Sequence, residues 1–136
     1  MFSRLASCRR GAVSLEAAIV FPVLIALAMG TMEFGMLIFT YSAMQTATRE
    51  VARQMSVNFT TPAAVEAAVR ARLPNWSADA AAVAVTQSAP ADPATNVFTV
   101  IVTMPAADAT PVRFFTSAAE AWNLRTEVVM KQELPL

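Results

Sequence analysis

The sixteen residues from Ala17 to Met32 carry no charge, and no other feature of the chain limits its fold so tightly. As a helix they span about 24 Å, short of the roughly 30 Å hydrocarbon core of a bilayer. Adding Ala12 to Leu15 makes twenty-one residues and about 31 Å, which fits, but Glu16 then stands inside the apolar segment. Apolar character continues outward through Phe34, Met36, Leu37, Ile38, Phe39 and Tyr41, and helix-compatible sequence runs on to about Val57. A helix of that length is longer than any bilayer is thick. The pattern therefore predicts an inner half that spans a membrane and an outer half that forms a stalk. Arg4, Arg9 and Arg10 precede the first carboxylate, and the next basic residue is Arg49. This asymmetry predicts a cytoplasmic N-terminus and an exported C-terminus, which in a bacterium puts residues beyond about 45 in the periplasm or outside the cell.

The rest of the composition narrows the function. A chain of 136 residues has room for one compact domain at most, less whatever the membrane takes. Ten basic and ten acidic residues cancel, so the totals suggest no nucleic-acid partner. Histidine is absent and Cys8 is the single cysteine. A His/Cys metal site, a Ser-His or Cys-His nucleophile and an internal disulfide are thereby excluded. The carboxylates are scattered singly, without a cluster to suggest a paired acid and base. Neither an enzyme, a cofactor nor a bound metal is expected.

Three readings of the leader compete. A secretory signal peptide would be cut after Ala28-Met29-Gly30, releasing a periplasmic accessory or binding domain that begins at Thr31. That reading leaves the apolar stretch beyond Gly30 unexplained. Leu5-Ala6-Ser7-Cys8 has the form of a lipobox but lacks the apolar core that must precede one, so Cys8 reads as an incidental leader residue. In a prepilin-type leader, a short basic segment ends in a glycine. Cleavage after Gly11 makes Ala12 the first residue and Glu16 the fifth. In a helix those two positions share a face, so a new α-amino group sits near a carboxylate. Placing either charge in a membrane helix costs about 3 kcal/mol on insertion scales, and pairing relieves it. The amine can come from a neighbouring subunit, which makes Glu16 an assembly residue. The alternative is a glutamate that snorkels to the head groups or stays protonated.

Residues 11–54, GAVSLEAAIVFPVLIALAMGTMEFGMLIFTYSAMQTATREVARQ, resemble the TadE-like pseudopilins of the tight-adherence (Flp-type, type IV) pilus system. The resemblance is carried by Gly11 with Glu16, Pro22 six residues on, Gly30, the Glu33-Phe34-Gly35 triplet and the closing run Ala47-Thr48-Arg49-Glu50-Val51-Ala52-Arg53. It covers about a third of the chain. One position departs from the pattern: Ala17 stands where prepilins of this class usually carry an aromatic residue. The resemblance implies processing by a prepilin peptidase, an inner-membrane aspartic protease. It also implies a minor component that helps start or regulate assembly of an adhesive pilus, in contact with other pilins and pseudopilins, the inner-membrane assembly platform and the lipid bilayer.

The matched residues also have local physical readings. Pro22 removes the backbone bond to Ala18 and predicts a kink near the membrane start of the helix. Glu33 lies near the outer edge of the span, where it faces head groups or, with Gly30 and Gly35, lines a close helix contact. The glycine spacing of five is not the GxxxG dimer motif. Arg49 and Arg53 lie four apart on one face beside Glu50 and read as a solvated charge face of the stalk.

Three segments follow from the patterning: a basic leader (1–11), the transmembrane and stalk helix (12–57) and a small extracytoplasmic α+β domain (58–136). Asn58 to Pro62 should end the long helix. Thr61 as N-cap and Pro62 as first residue then open a short helix that Pro74 stops. VAVTQS (83–88), NVFTVIVTM (96–104) and Leu124 to Lys131 read as strands, with a turn at APADPAT (89–95). Pro111 to Trp122 is ambiguous, with a short amphipathic helix as one reading. The expected fold is a long helix followed by a short helix and a small antiparallel sheet of about three strands. So small a unit sits near the lower limit for an independent core, so it should lean on the stalk helix or on partners. The same economy predicts that Phe114, Phe115, Trp122 and Trp76 pack inside, with an exposed docking patch as the alternative for the first three.

Overall fold

The computed structural model describes residues 9–116 and 122–133, and of residues 9–12 the backbone alone. The leader residues Arg4 and Cys8 therefore lie outside the described residues. Helix α1 runs unbroken from Arg9 to Ser56 through Pro22. A 3-10 turn at Pro62–Ala64 leads into the short helix α2, Val65–Arg70. Strands β1 (Ala82–Gln87), β2 (Val97–Pro105) and β3 (Asn123–Lys131) follow. They form one antiparallel sheet in the order β1-β2-β3, with Val85 opposite Val100 and Val100 opposite Val128. This is the α+β arrangement expected from the pattern, with strand boundaries shifted by about one residue.

Helix α1 ends as its sequence suggests. Asn58 adopts a left-handed conformation at φ 59°, which asparagine tolerates better than most residues. Its amide donates to the Met55 carbonyl at 3.0 Å, and the Phe59 amide reaches back to Gln54 at 2.8 Å. These two bonds form a Schellman motif that satisfies the last free carbonyls of the helix. The Asn58 side chain accepts from Gln132 at 2.6 Å, and the Glu133 amide donates to the Ser56 carbonyl at 2.7 Å. The outer end of α1 is thereby tied to the end of β3. At the start of the second helix, Thr61 is extended and its side chain makes no capping bond, so Pro62 sets the turn by its fixed φ.

The core lies between the outer half of α1 and one face of the sheet. Alternation along β2 puts Phe98, Val100, Val102 and Met104 on that face, where they meet Met44, Ala47, Val51, Ala52 and Met55 of α1 and Val65 and Val69 of α2. The opposite face, with Thr99, Ile101 and Thr103, is partly open. The small domain thus rests on the stalk helix.

One expectation fails. Trp76, Phe114, Phe115 and Trp122 are 46%, 48%, 46% and 61% exposed rather than packed inside. Among the described residues Phe98 is the one buried aromatic side chain. One long and one short helix laid on a single face of three strands leave a thin layer, and valine and methionine fill most of it. The larger rings sit on the turns and the loop outside that layer. Residues 111–115 are irregular rather than helical, and residues 117–121 of the ambiguous stretch lie outside the described residues.

Candidate functional site

The inner half of α1 is apolar on every side. A helix of that kind is buried in a large core or lies in a membrane. Here Val13, Leu15, Ile19, Phe21, Leu24 and Leu27 are all exposed, and only 6% of the most apolar window of the helix is buried. By length and composition the helix can cross a membrane, and its inner half takes no part in the core that its outer half forms with the sheet. Glu16 is exposed on the same segment and makes no hydrogen bond or ion pair with the described residues. It stands fourteen residues before Gly30, about 21 Å along the helix. Gly11 and Ala12 lie in the first turns of α1, so a cut between them would fall in helical backbone.

Beyond the apolar half, burial narrows to one stripe. Gly30, Glu33, Thr40, Met44, Ala47, Val51 and Met55 are buried at the three- and four-residue steps of a single helix face. The domain therefore begins to touch α1 at Gly30. The contact there is made by the loop between β2 and β3. The Phe115 ring lies over Gly30 so closely that a Cβ on the glycine would come within 2.8 Å of it.

One turn further on, Glu33 is only 1% exposed and is gripped by the same loop. The Phe115 amide donates to Oε2 at 2.7 Å. The Thr116 amide and hydroxyl donate to Oε1 at 2.8 and 2.5 Å, and the Phe114 amide adds to the set. Every partner is a donor, which matches the acceptor-only oxygens of a carboxylate. Charge-assisted bonds of this kind are about twice as strong as neutral ones, and here they tie residues more than eighty positions apart. Higher up, the Thr40 hydroxyl donates to the Ala109 carbonyl at 2.6 Å, and Trp76 Nε1 donates to the same oxygen at 3.3 Å. Trp76 also leans on Phe39, with ring centroids 6.3 Å apart.

Of the residues singled out by their pattern, only Glu33 and Gly30 come together, at the clamp. Gly35 is exposed, with open space where a Cβ would be. Arg49 and Arg53 are exposed and pair with none of the described carboxylates, as a solvated face would. Glu16 is remote from all of them. Sequence reasoning puts Glu33 at head groups or in a helix contact; the structure instead gives it to backbone amides of a distant loop. Val23, Leu27, Gly30, Thr31, Phe34, Ile38 and Phe115 line an open apolar groove along the helix. Among the described residues no three carboxylates or cysteines converge as metal ligands.

Residues 11–53 match the model of a family described as TadE-like protein. No curated protein and no solved structure matches the chain. The matched segment is nearly coextensive with α1: it takes in the whole exposed apolar half, the Gly30–Glu33 junction and most of the stripe that the domain covers.

Proposed function

We propose that this chain, a TadE-like family member by its residues 11–53, is a pseudopilin or minor pilin of a tight-adherence pilus, held in the bacterial inner membrane by α1 before and during assembly. The domain lies on the periplasmic side and the basic leader on the cytoplasmic side, in keeping with the arginine asymmetry. The observation that carries the reading is the inner half of α1. An all-round apolar helix stands clear of its own domain and has a single carboxylate, Glu16, near its start.

Such a helix has two environments open to it, lipid and the matching helices of other subunits. In the second, the groove along Val23, Leu27 and Phe34 receives a neighbouring helix, and Glu16 meets the new α-amino group of a neighbour's Ala12. A lone carboxylate at that depth is costly, so the pair favours the assembled state and fixes the register between subunits. Prepilin peptidase creates the amine by cutting after Gly11. Pilins, pseudopilins and the assembly platform are the partners of this surface. The domain supplies specificity at its outer end.

The test is the intact mass and N-terminal residue of the protein extracted from membranes. An N-terminus at Ala12 that is lost when the prepilin peptidase is deleted supports the reading. An N-terminus at Thr31 refutes it, because signal peptidase would then have released a domain without its anchor.

A further inference from the structure

We propose that the tip of the loop between β2 and β3, residues 113–116, is a lipid-interface anchor: Phe114 and Phe115 insert at the boundary of head groups and acyl chains on the domain side of the bilayer and set the depth of the span. The inference rests on the membrane-spanning reading of α1 above and adds a lipid contact made by the domain itself.

Depth comes from the clamp. A span of residues 12–32 fills the hydrocarbon core, so Gly30 lies in its last turn. Phe115 sits on Gly30, and the Phe115 and Thr116 amides are bound to Glu33. The loop tip is thereby pinned at the boundary by contacts to the span itself. The rings are available there, 48% and 46% exposed, and they meet edge to face at 4.8 Å and 85°. Phe115 also continues the apolar surface of Val23, Leu27 and Phe34. Phenylalanine lacks the polar handle that brings tryptophan and tyrosine to that level, but its ring is among the apolar groups that interfacial segments bury at the boundary of head groups and acyl chains.

Backbone groups of an irregular segment that reach toward the hydrocarbon region must find partners within the protein. Glu33 supplies them for the Phe115 and Thr116 amides of the tip. This gives the buried carboxylate a reason to stand on the helix face at that turn. Charge also fits an uncharged interface. Arg113 at the tip is paired with Asp108 at 2.6 Å, so no net charge calls for anionic lipid. By contrast Trp76, at the level of Thr40, stands about 15 Å beyond Gly30 and should remain in water.

Three single-tryptophan forms of the full chain, reconstituted in phosphatidylcholine vesicles, measure the three depths. Phe21→Trp and Phe114→Trp are each made with Trp76→Phe and Trp122→Phe, and the third form retains Trp76 with Trp122→Phe alone. Lipids brominated near the head group should quench the Phe114→Trp reporter several-fold more than lipids brominated near the bilayer centre. Phe21→Trp should show the reverse order, and Trp76 should be quenched by neither. Adding anionic lipid should leave the order unchanged.

Should Phe114→Trp disturb the loop, a nitroxide on Arg113→Cys with Cys8→Ser reads the same depth by its relative exposure to oxygen and a water-soluble relaxant. Quenching of Phe21→Trp with no lipid contact at either loop position overturns the anchor while leaving the span intact. If the loop reporter then shifts to the blue as the ratio of chain to lipid rises, the tip is covered by protein instead. No quenching at Phe21→Trp removes the span, and the anchor with it.

Discussion

Replacing Glu33 with glutamine keeps the size of the side chain and removes one acceptor. In the clamp, Oε1 takes two donors from Thr116 and Oε2 takes the Phe115 amide, with the Phe114 amide as a further donor to the carboxylate. Glutamine offers one carbonyl oxygen and one NH2 group, and wherever the NH2 points it meets a donor. The less costly choice puts the oxygen toward Thr116, keeping two bonds, and turns the NH2 toward the Phe115 amide. That amide is then left without a partner at a half-buried position, where the cost of about 1–3 kcal/mol for a buried group is an upper range. The surviving bonds also lose their charge assistance. The loop can relieve part of this by swinging into water, so the net loss of docking should be about 2 kcal/mol, or roughly thirtyfold in the docked-to-open ratio at 1.4 kcal/mol per tenfold.

Residue-resolved hydrogen exchange of the full chain in nanodiscs reads this directly. The Phe115 amide should lose the most protection in Glu33→Gln, Thr116 should lose less, and Val100 and Val102 in the middle of β2 should be unchanged, because the opening is local. Unaltered protection at Phe115 would refute the clamp as the force that docks the loop. An equal rise at β2 would show that Glu33 supports the whole domain rather than its junction with the span.

Met44→Ala should lower global stability by about 3 kcal/mol, since a fully buried side chain between α1 and the sheet leaves a cavity there; denaturant unfolding in detergent with an unchanged midpoint would contradict that packing. Gly35→Ala should stabilise the isolated chain by about 0.5–1 kcal/mol through helix propensity, because nothing meets the added methyl. Gly30→Ala should gain little or lose stability, because its methyl displaces the Phe115 ring; equal thermal shifts for the two would go against the seat described for that ring. Glu16→Ala should abolish pili while leaving cleavage after Gly11 largely intact, and normal pili in that variant would end the charge-pairing argument.

The elements with a regular period are legible in the sequence alone. β2 announces itself because Phe98, Val100 and Val102 alternate with Thr99, Ile101 and Thr103, and a two-residue period admits few other conformations. Asn58 marks the end of α1 because it can take the left-handed geometry of a Schellman motif. The apolar half of α1 is visible from composition alone. The aromatic residues mislead for a physical reason: ring size argues for burial only when the core is thick enough, and a layer of α1 and the short α2 on one face of three strands is thin. Glu33 is half legible. Counting down from Met44 through Thr40 by threes and fours leads to Glu33 and Gly30, so a carboxylate on the domain-facing stripe has to have a partner. Nothing local can name it, because Phe115 and Thr116 are over eighty residues away and in a segment without periodicity.

The same stripe explains why α1 is one helix with two halves of different character. Before Gly30 every face is apolar and exposed; beyond it the burial is confined to the face that the domain covers. The change occurs within a single turn, and that turn carries the seat of the Phe115 ring and the Glu33 clamp. A continuous helix passes any tilt or rotation of its inner half to the outer half. A domain attached only at Met44 and above would leave about 20 Å of bare helix between its lowest core contact and Gly30. The Thr40 bond to Ala109 and the Glu33 clamp together close that gap. With the clamp intact, span, loop and sheet should move as one body, and with glutamine at position 33 the loop should move independently while the sheet keeps its place on α1.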